Sequence, residues 1–453
     1  MMHDAERQDQ RVLDWIGGIP NRWGVHSLGS QLAANKSSNK GLVESRVLSL
    51  SYGRVIVKPL DKLRGLVPES FETYQIVEPG DIVIRPTDLQ NDQTSLRVGQ
   101  SMHRGIITSA YICLRPTDSL NHRYASYLLA AYDFMKVFYG FGSGLRQNLD
   151  VKHIKHIPVP VPSLEEQGLI VRYLDHAELR IAKAIAAKQT MVSLMEEQRS
   201  AVVAHEMLGG ENKRTAVKQL EGFGEIPAHW EVMTLRGLLR KIALRNPGGH
   251  QLLSVLRSRG VIERSLDRAD NHNFIPDDLS NYKVVKPGDL VMNKMKAWSG
   301  SVGVSRHRGV VSPAYFVYEF RSPIDPAFMN LLFRSNYMRY WFGRYSEGVR
   351  VGQWDLSPEE IKNIRVPVPA LEEQVAISER VVARTFEMDA AIASVQAEIA
   401  LLKEYRTRLI SDVVTGKLDV RDEAAKLPEI DPMELATVAV GENGDDEEAT
   451  DDD

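Results

Sequence analysis

The stretch IKHIPVPVPSLEEQ at Ile154–Gln167 returns as IKNIRVPVPALEEQ at Ile361–Gln374. The register extends outward, because residues 19–23 (IPNRW) return as residues 226–230 (IPAHW) at the same displacement of 207 residues, 226 minus 19. A long internal match at one constant displacement indicates a duplication. The chain is therefore two copies of one unit, and its function must make sense for two copies.

Composition places the chain among soluble globular proteins. Of its 453 residues, 43% are hydrophobic and 26% are charged, which are ordinary values for that class. The N-terminus is polar, and no apolar run approaches the roughly 18 residues that span a bilayer. The single cysteine, Cys113, excludes an internal disulfide framework and fits a reducing compartment. We therefore expect a cytoplasmic protein without membrane contact.

The net charge of −4 hides a basic body. Residues 441–453 contain eight acidic residues and no basic one, which leaves +4 for the remainder. Such a tail is poor in apolar residues and rich in like charge, so it is expected to stay disordered. A mildly basic body permits a polyanionic partner without requiring one.

Each copy begins with a mixed, strand-rich region. Short apolar runs bounded by Gly, Pro and Asp predict short strands, and a Pro-Gly-Asp turn signal at residues 79–81 recurs at residues 287–289. Helical periodicity predicts one helix at residues 124–137 and its counterpart at 326–342. Between these anchors the copies diverge widely, which suits two readers of different ligands on one scaffold.

A proline-rich strut and a long helix follow each strand-rich region. Alternating prolines keep the strut extended, and Ser163 with Glu166 predicts a capping box at the start of the first helix. Gly209 and Gly416 stand where C-terminal caps are expected. At roughly 45 residues each, the helices would be about 65–70 Å long.

Both helices carry apolar residues at heptad-like spacing, which predicts an antiparallel coiled coil between them. The alternative is two unrelated amphipathic helices, each packed on its own domain, but their shared register and length favour the pair. The predicted seam comprises Ile170, Leu174, Ile181, Met191, Met195, Val202, Val381, Met388, Val395, Leu402 and Leu409.

As a whole, the residues 19–421 resemble the specificity subunits of type I restriction–modification enzymes. The resemblance rests on the two domain starts, the two PVP…LEEQ struts, the segments NKMKAW (293–298) and SPAY (312–315), and the closing TGKLD (415–419). Each piece alone is a weak signal, and the combination is specific.

The resemblance implies an α+β fold with two mixed α/β target-recognition domains, separated by two long helices in an antiparallel coiled coil, as a pseudo-twofold internal repeat. The domains implied are an N-terminal extension (1–18), target-recognition domain 1 (19–157), strut and spacer helix 1 (158–210), target-recognition domain 2 (211–364), strut and spacer helix 2 (365–420) and a disordered acidic tail (421–453).

The same resemblance implies a non-catalytic subunit. Each domain would read one half of a bipartite, asymmetric site in double-stranded DNA, while the helices set the gap and dock two methyltransferase subunits. This chain would hold no cofactor or metal. S-adenosylmethionine would be bound by the methyltransferase subunits, which modify adenine, and ATP and Mg by a separate restriction (motor) subunit.

Three local motifs could indicate other chemistry. The glycine-rich residues 139–144 follow a predicted helix rather than a strand, so they favour a turn over a cofactor loop. The SPAY segment approaches an amino-methyltransferase motif but has Ala314 in place of the second proline. His153 and His156 lack a cysteine partner at zinc spacing and are read as solvated.

Candidate DNA contacts are the polar and basic residues of the divergent loops, because Arg and Lys can bond guanine or phosphate, and Asn and Gln can bond adenine. In the first copy these are Arg85, Thr87, Asn91, Arg97, Arg104, Ser143, Arg146, Gln147 and Asn148. In the second they are Asn293, Lys294, Lys296, Trp298, Ser299, Arg306, Arg308, Arg344, Arg350 and Gln353. Trp23 and Trp230, at matched positions, are expected in the core.

Two other functions compete with DNA recognition by a non-catalytic subunit. One is a duplicated scaffold that binds proteins, which the modest charge allows. The other is a self-contained DNA methyltransferase or nuclease, against which the absence of a phosphate-binding loop and of a nuclease carboxylate–lysine cluster in the sequence argues.

Overall fold

The computed structural model describes residues 17–430, except for 36, 52, 60–69, 91–95, 142–147, 211–215, 265–277 and 351–352. Two compact units emerge. Among the described residues, the first unit comprises 17–187 together with 398–430, and the second comprises 188–397. Each unit therefore contains one strand-rich domain, part of the first long helix and part of the second.

The first domain is built on a four-stranded antiparallel sheet in the order β2-β9-β6-β7, with three two-stranded sheets, β1-β10, β3-β4 and β5-β8. The strands are β1 (Gly24–Ser27), β2 (Leu32–Ala34), β3 (Leu48–Ser51), β4 (Arg54–Val57), β5 (Gln75–Val77), β6 (Ile82–Ile84), β7 (Val98–Gln100), β8 (Gly105–Ile107), β9 (Ile112–Pro116) and β10 (Pro158–Val161).

The second domain repeats this plan, with the sheet β14-β21-β18-β19 and the pairs β13-β24, β15-β16 and β17-β20. Two hairpins, β11-β12 and β22-β23, also belong to this domain. Its strands are β11 (Val217–Leu220), β12 (Gly224–Pro227), β13 (Glu231–Thr234), β14 (Leu239–Ile242), β15 (Leu253–Leu256), β16 (Gly260–Glu263), β17 (Lys283–Val285), β18 (Leu290–Asn293), β19 (Val302–Val304), β20 (Gly309–Val311), β21 (Tyr315–Phe320), β22 (Ser346–Arg350), β23 (Gln353–Leu356) and β24 (Arg365–Val368).

Helices pack against the sheets of both domains. They are α1 (Leu28–Gln31), α2 (His122–Phe134), α3 (Val151–Ile154), α4 (Leu164–Met207), α5 (Leu235–Leu238), α6 (Pro326–Arg334), α7 (Asn336–Arg344), α8 (Leu371–Val414) and α9 (Arg421–Ala424). Short 3-10 turns occupy Phe71–Thr73, Val137–Gly140, Ala297–Ser299 and Ile361–Asn363. The two long helices, α4 and α8, have 44 residues each.

The single helix expected at 326–342 is instead two helices. Ser335 breaks it, since its extended backbone ends α6 and its hydroxyl caps α7 by accepting a hydrogen bond from the Met338 N–H. The same hydroxyl donates to the Leu332 carbonyl. Serine competes with the helical backbone for these groups, so a helical apolar pattern alone could not reveal the break.

The repeated Pro-Gly-Asp signal forms the same turn in both domains. The carboxylate of Asp81 accepts a hydrogen bond from the Glu78 N–H (2.9 Å), and Asp289 accepts one from the Lys286 N–H (2.7 Å). Gly80 has a φ of 92°, a left-handed conformation that favours glycine. The buried Asp81 also forms a bidentate pair with Arg115. Asp289 is buried as well, and this burial raises the pKa of its carboxyl.

The proline-rich strut of the first copy is a β-strand of the domain. β10 pairs antiparallel with β1, and proline is tolerated where its missing N–H would face away from the partner strand. The hydroxyl groups of Tyr124 and Tyr132 donate to the carbonyls of Pro160 (3.0 Å) and Pro158 (2.7 Å). The strut is extended, as expected, and these buried hydrogen bonds attach it to α2.

Antiparallel packing of the long helices is visible within each unit. In the first unit, Ile170 and Leu174 near the start of α4 share a core with Val413 near the end of α8. In the second, Met207 at the end of α4 shares a core with Ile377 near the start of α8. The start of one helix meets the end of the other in both units, as the coiled-coil prediction requires.

The predicted seam and the observed one diverge toward the middle of α4. Ile181 is buried, but Met191 is 45% exposed and does not lie in the seam, while Met195 and Val202 are half-buried. A strict heptad assumes 3.5 residues per turn, whereas a straight helix has 3.6, so the buried stripe drifts by about 20° per heptad. In α8, Val381, Val395 and Leu409 are buried, and Met388 and Leu402 are half-buried.

Both long helices end at glycines that also contact a domain. Gly209 and Gly416 have positive φ values of 101° and 78°, as a C-terminal cap requires. A Cβ at Gly416 would overlap Pro20, and one at Gly209 would overlap Pro227. The neighbouring Trp23 and Trp230 are buried, which confirms the expectation that they are core residues.

The first ten residues of the expected tail are ordered in the structure. Val420 and Ala424 are buried, the Arg172 guanidinium lies 3.3 Å from the Glu429 carboxylate, and His176 Nε2 lies 2.8 Å from the Pro428 carbonyl. The disordered tail was therefore predicted to begin too early. Local charge and composition do not reveal that residues 421–430 dock on α4. Residues 431–453 lie outside the described part of the chain.

Among the described helices, none is both long and apolar enough to cross a membrane.

We predict that Cys113 is chemically inert in the folded chain. It is 2% exposed, and burial, reinforced by the Asp81 carboxylate, raises the pKa of its thiol to about 12. Since the thiolate is the reactive species, iodoacetamide at pH 8 should label the chain only in denaturant. Intact-mass spectrometry measures the labelling. Rapid labelling of the folded chain would contradict this buried placement.

Candidate nucleic-acid interface

In the first unit, the loop after β6 meets the segment before α3. The Leu149 N–H donates to the Pro86 carbonyl (2.8 Å), and the Asp88 N–H donates to the Asn148 side-chain oxygen (3.0 Å). We call the surface formed by residues 85–90 and 148–150 the first junction surface. It joins two segments that are far apart in the sequence.

A buried arginine supports this loop from beneath. Arg97 is fully buried, and its guanidinium donates to the carbonyls of Arg85 (3.3 Å), Thr87 (2.7 Å) and Asp88 (3.2 Å). Its Nε donates to the Tyr139 hydroxyl (3.1 Å). Arg97 was expected to contact DNA, but its side chain is buried beneath the loop. Arg97 shapes the loop that carries the exposed residues, a role that residue type alone does not reveal.

The junction surface gathers three of the predicted contacts. Thr87 and Asn148 are exposed, and Arg85 is half-buried. Gln90, which was not among the predicted contacts, is exposed on the same loop. The predicted residues Asn91, Ser143, Arg146 and Gln147 lie outside the described residues.

The second unit repeats this junction with different side chains. The Leu356 N–H donates to the Lys294 carbonyl (2.9 Å), at the positions that match Leu149 and Pro86. The Lys294 ammonium forms an ion pair with Asp355. We call the surface formed by residues 293–299 and 353–357 the second junction surface. Both units share this backbone hydrogen bond, but the side chains exposed around it differ.

The loop 293–299 is held by its own hydrogen bonds. Asn293 accepts from the Met295 N–H (3.0 Å), and the Ser299 hydroxyl donates to the Lys296 carbonyl (2.8 Å). Asn293, Lys294, Lys296 and Ser299 are half-buried. These side chains sit on one short turn, which the structure brings against β23 and α7.

Two tryptophans meet on this surface. The rings of Trp298 and Trp354 lie 4.9 Å apart with an interplanar angle of 53°, and both side chains are half-exposed. Trp354 was missed by the sequence analysis. The signal that could have found it is its register, since it matches Gln147, a predicted contact in the first copy.

The remaining predicted contacts lie apart from these loops or cannot be described. Arg104 is paired with Glu44 (3.3 Å) and Glu78, which neutralises its charge. Arg306 and Arg308 are exposed in the β19–β20 connection, at the far end of β19 from the second junction surface, and Arg344 is exposed at the end of α7. Arg350 and Gln353 lie in the β22–β23 hairpin, and their side chains are outside the described part.

The SPAY segment has a structural role. The Tyr315 N–H donates to the Ser312 carbonyl (3.0 Å), which closes a tight turn between β20 and β21. Thr108 and Tyr111 form the same turn in the first copy (3.1 Å). Within the described residues, no three His, Cys, Asp or Glu side chains cluster in a way that could hold a metal ion.

Comparisons with known proteins agree with one another. A family model described as a type I restriction modification DNA specificity domain matches residues 104–188. The type I restriction enzyme MjaVIII specificity subunit of Methanocaldococcus jannaschii is 23% identical over 70% of this chain and 76% of its own length. The putative MjaX specificity subunit of the same organism is 20% identical over 90% of this chain and 96% of its own.

One solved structure shares the fold, with a TM-score of 0.54 and 12% identity, covering 89% of this chain and 100% of its own. It comes from a study of complex assembly and conformational transition in the type I restriction–modification system. The chain thus shares a duplicated α+β fold, and each copy presents one junction surface with its own set of side chains. The matched domain and these relatives show that the chain is similar to the specificity subunits of type I restriction–modification systems.

We predict that Arg97→Leu lowers the free energy of unfolding of the first domain by about 3 kcal/mol, because it leaves three partly buried loop carbonyls without the donor that holds them. Exposure of Cys113 to iodoacetamide in a urea series measures this. Arg104→Leu is the control, since half-exposed ion pairs contribute less than about 1 kcal/mol. Equal stability of the two variants would contradict the supporting role of Arg97.

Proposed function

We propose that this chain is the DNA-recognition subunit of a type I restriction–modification complex, in which each domain reads one half of a bipartite, asymmetric DNA site. The observation that carries the proposal is the pair of junction surfaces. One backbone hydrogen bond recurs in both units, from Leu149 to Pro86 and from Leu356 to Lys294, while the side chains exposed around it differ.

Two unlike readers on one chain suit a non-palindromic target. A symmetric dimer presents identical surfaces and reads a palindrome, whereas two diverged domains read two different half-sites. Arg85 and Asn148 carry groups that can bond base edges or phosphates, and Lys296 adds a basic side chain to the second surface. The long helices, at 44 residues each, would be about 66 Å long and would set the unread gap between the half-sites.

The second helix also carries a surface that suits a protein partner. Leu371, Val375, Val382 and Phe386 are exposed and spaced so as to lie on one face of α8. Phe386 is 70% exposed, which is unusual for a large aromatic side chain. In the proposed complex this outer stripe, formed by these four residues, docks a methyltransferase subunit.

The proposal assigns the chemistry to other subunits. Two methyltransferase subunits would use S-adenosylmethionine to methylate adenine, and a restriction subunit would use ATP and Mg for cleavage. This chain would contribute sequence recognition and assembly, without a cofactor or catalytic group of its own. The complex would work in the cytoplasm, where it meets double-stranded DNA.

We predict that replacing residues 19–157 with the equivalent domain of another specificity subunit changes one half of the methylated motif and leaves the other half unchanged. Mapping methylated adenines across the genome of cells that co-express the chain and its methyltransferase measures both halves. A swap that altered both halves would contradict independent reading. No chain-dependent methylation, with both proteins soluble and associated, would favour a duplicated protein-binding scaffold instead.

We predict that Phe386→Ala weakens association with the methyltransferase subunit by about tenfold, as expected for loss of a buried aromatic anchor. Analytical ultracentrifugation of the two purified proteins measures the association. Glu387→Ala, an exposed neighbour on a different face of α8, is the matched control and should associate normally. Equal affinities for both variants would remove the outer stripe as the docking surface.

A further inference from the structure

The second junction surface has an apolar centre that hydrogen-bond recognition does not explain. Trp298 and Trp354 meet at 4.9 Å, and the neighbouring Met295 is 43% exposed. The indole N–H of Trp298 donates to the Met295 carbonyl (2.9 Å). The polar atom of that ring is therefore already engaged, and what it presents to solvent is carbon.

The tryptophan pair occupies matched positions of the duplication. The Pro-Gly-Asp turns at 79–81 and 287–289 align Gln90 with Trp298, and Leu149 with Leu356 aligns Gln147 with Trp354. The buried Leu89 and Ala297 support this register, because each precedes the exposed position in its loop. The first copy thus has two amides where the second has two indoles.

We propose that Trp298 and Trp354 act as one apolar reading element that contacts the 5-methyl group of thymine in the half-site of the second domain. This inference rests on the proposed DNA-recognition function and names the chemistry of one part of it. Glutamine amides suit hydrogen bonding to adenine, whereas an apolar surface in the major groove recognises the thymine methyl group.

The surroundings of the pair fit DNA rather than an apolar partner. Lys294 and Asp355 form an ion pair beside the rings, Lys296 lies on the same turn, and Asn293 lies at its start. The basic and amide side chains on this turn suit contacts with phosphates and base edges of duplex DNA. The hairpin β22-β23 carries Trp354, and the hydrogen bond from Leu356 to Lys294 fixes it against the loop that carries Trp298.

The test uses the full chain with its methyltransferase subunit and oligonucleotides of the mapped target. Each thymine of the second half-site is replaced in turn by deoxyuridine, which removes only the methyl group. For the wild-type chain we expect at least one replacement to weaken binding by about fourfold, the value of one buried methyl group. In a Trp298→Gln/Trp354→Gln variant, the same replacement should have no effect.

Further variants separate reading from folding. Trp298→Phe/Trp354→Phe should retain sensitivity to deoxyuridine, and Leu244→Gln, which changes an exposed apolar residue elsewhere in the second domain, should behave as wild type. Deoxyuridine replacements in the first half-site should affect the wild-type chain and the glutamine variant equally.

The outcomes distinguish this inference from the function on which it rests. A wild-type chain that binds no DNA with its partner would overturn the proposed function. A chain that binds its target but tolerates deoxyuridine at every position of the second half-site would overturn only the reading element. Equal deoxyuridine sensitivity in the wild-type chain and the folded glutamine variant would overturn it as well.

Discussion

A buried glutamine at the start of each long helix controls how the helix meets its domain. Gln167 donates to the Pro162 carbonyl (2.9 Å) and accepts from the Asn121 N–H (2.7 Å), which stands at the start of α2. Gln374 makes the same two contacts with Pro369 (2.9 Å) and Asp325 (3.0 Å). Each amide satisfies backbone groups of two elements at once, and losing it would leave them buried and unpaired.

The same units show how one scaffold carries unlike details. In the second unit the buried Glu206 pairs with Arg380 (3.0 Å) and Arg384 (2.7 Å) between the helices. The matched residues of the first unit are Val413, Tyr173 and Ala177. A buried ion group is a weak source of stability, because desolvation offsets its attraction, whereas its exact charge pattern discriminates between partners. The two helices therefore have the same length, but the contacts between them differ from one unit to the other.

Much of the architecture could be predicted from residue patterns because those patterns act locally. The repeated struts, the Pro-Gly-Asp turns, the terminal glycines and the two long helices each follow from backbone preferences of a few neighbouring residues. The tight junctions were harder, since Pro86 and Leu149 are distant in the chain and only the folded domain brings them together. For that reason the sequence placed Arg97 wrongly among the exposed contacts and did not reveal Trp354.

The sequence by itself determined that the chain is duplicated, that its helices pair, and that its variable loops are where the copies differ, because repetition and periodicity are properties of the residue order. The tertiary structure alone decided which loop residues face outward. Residue type does not separate a buried Arg97, which serves backbone carbonyls, from an exposed Arg308. Burial depends on what packs against a side chain, and those contacts come from distant parts of the chain.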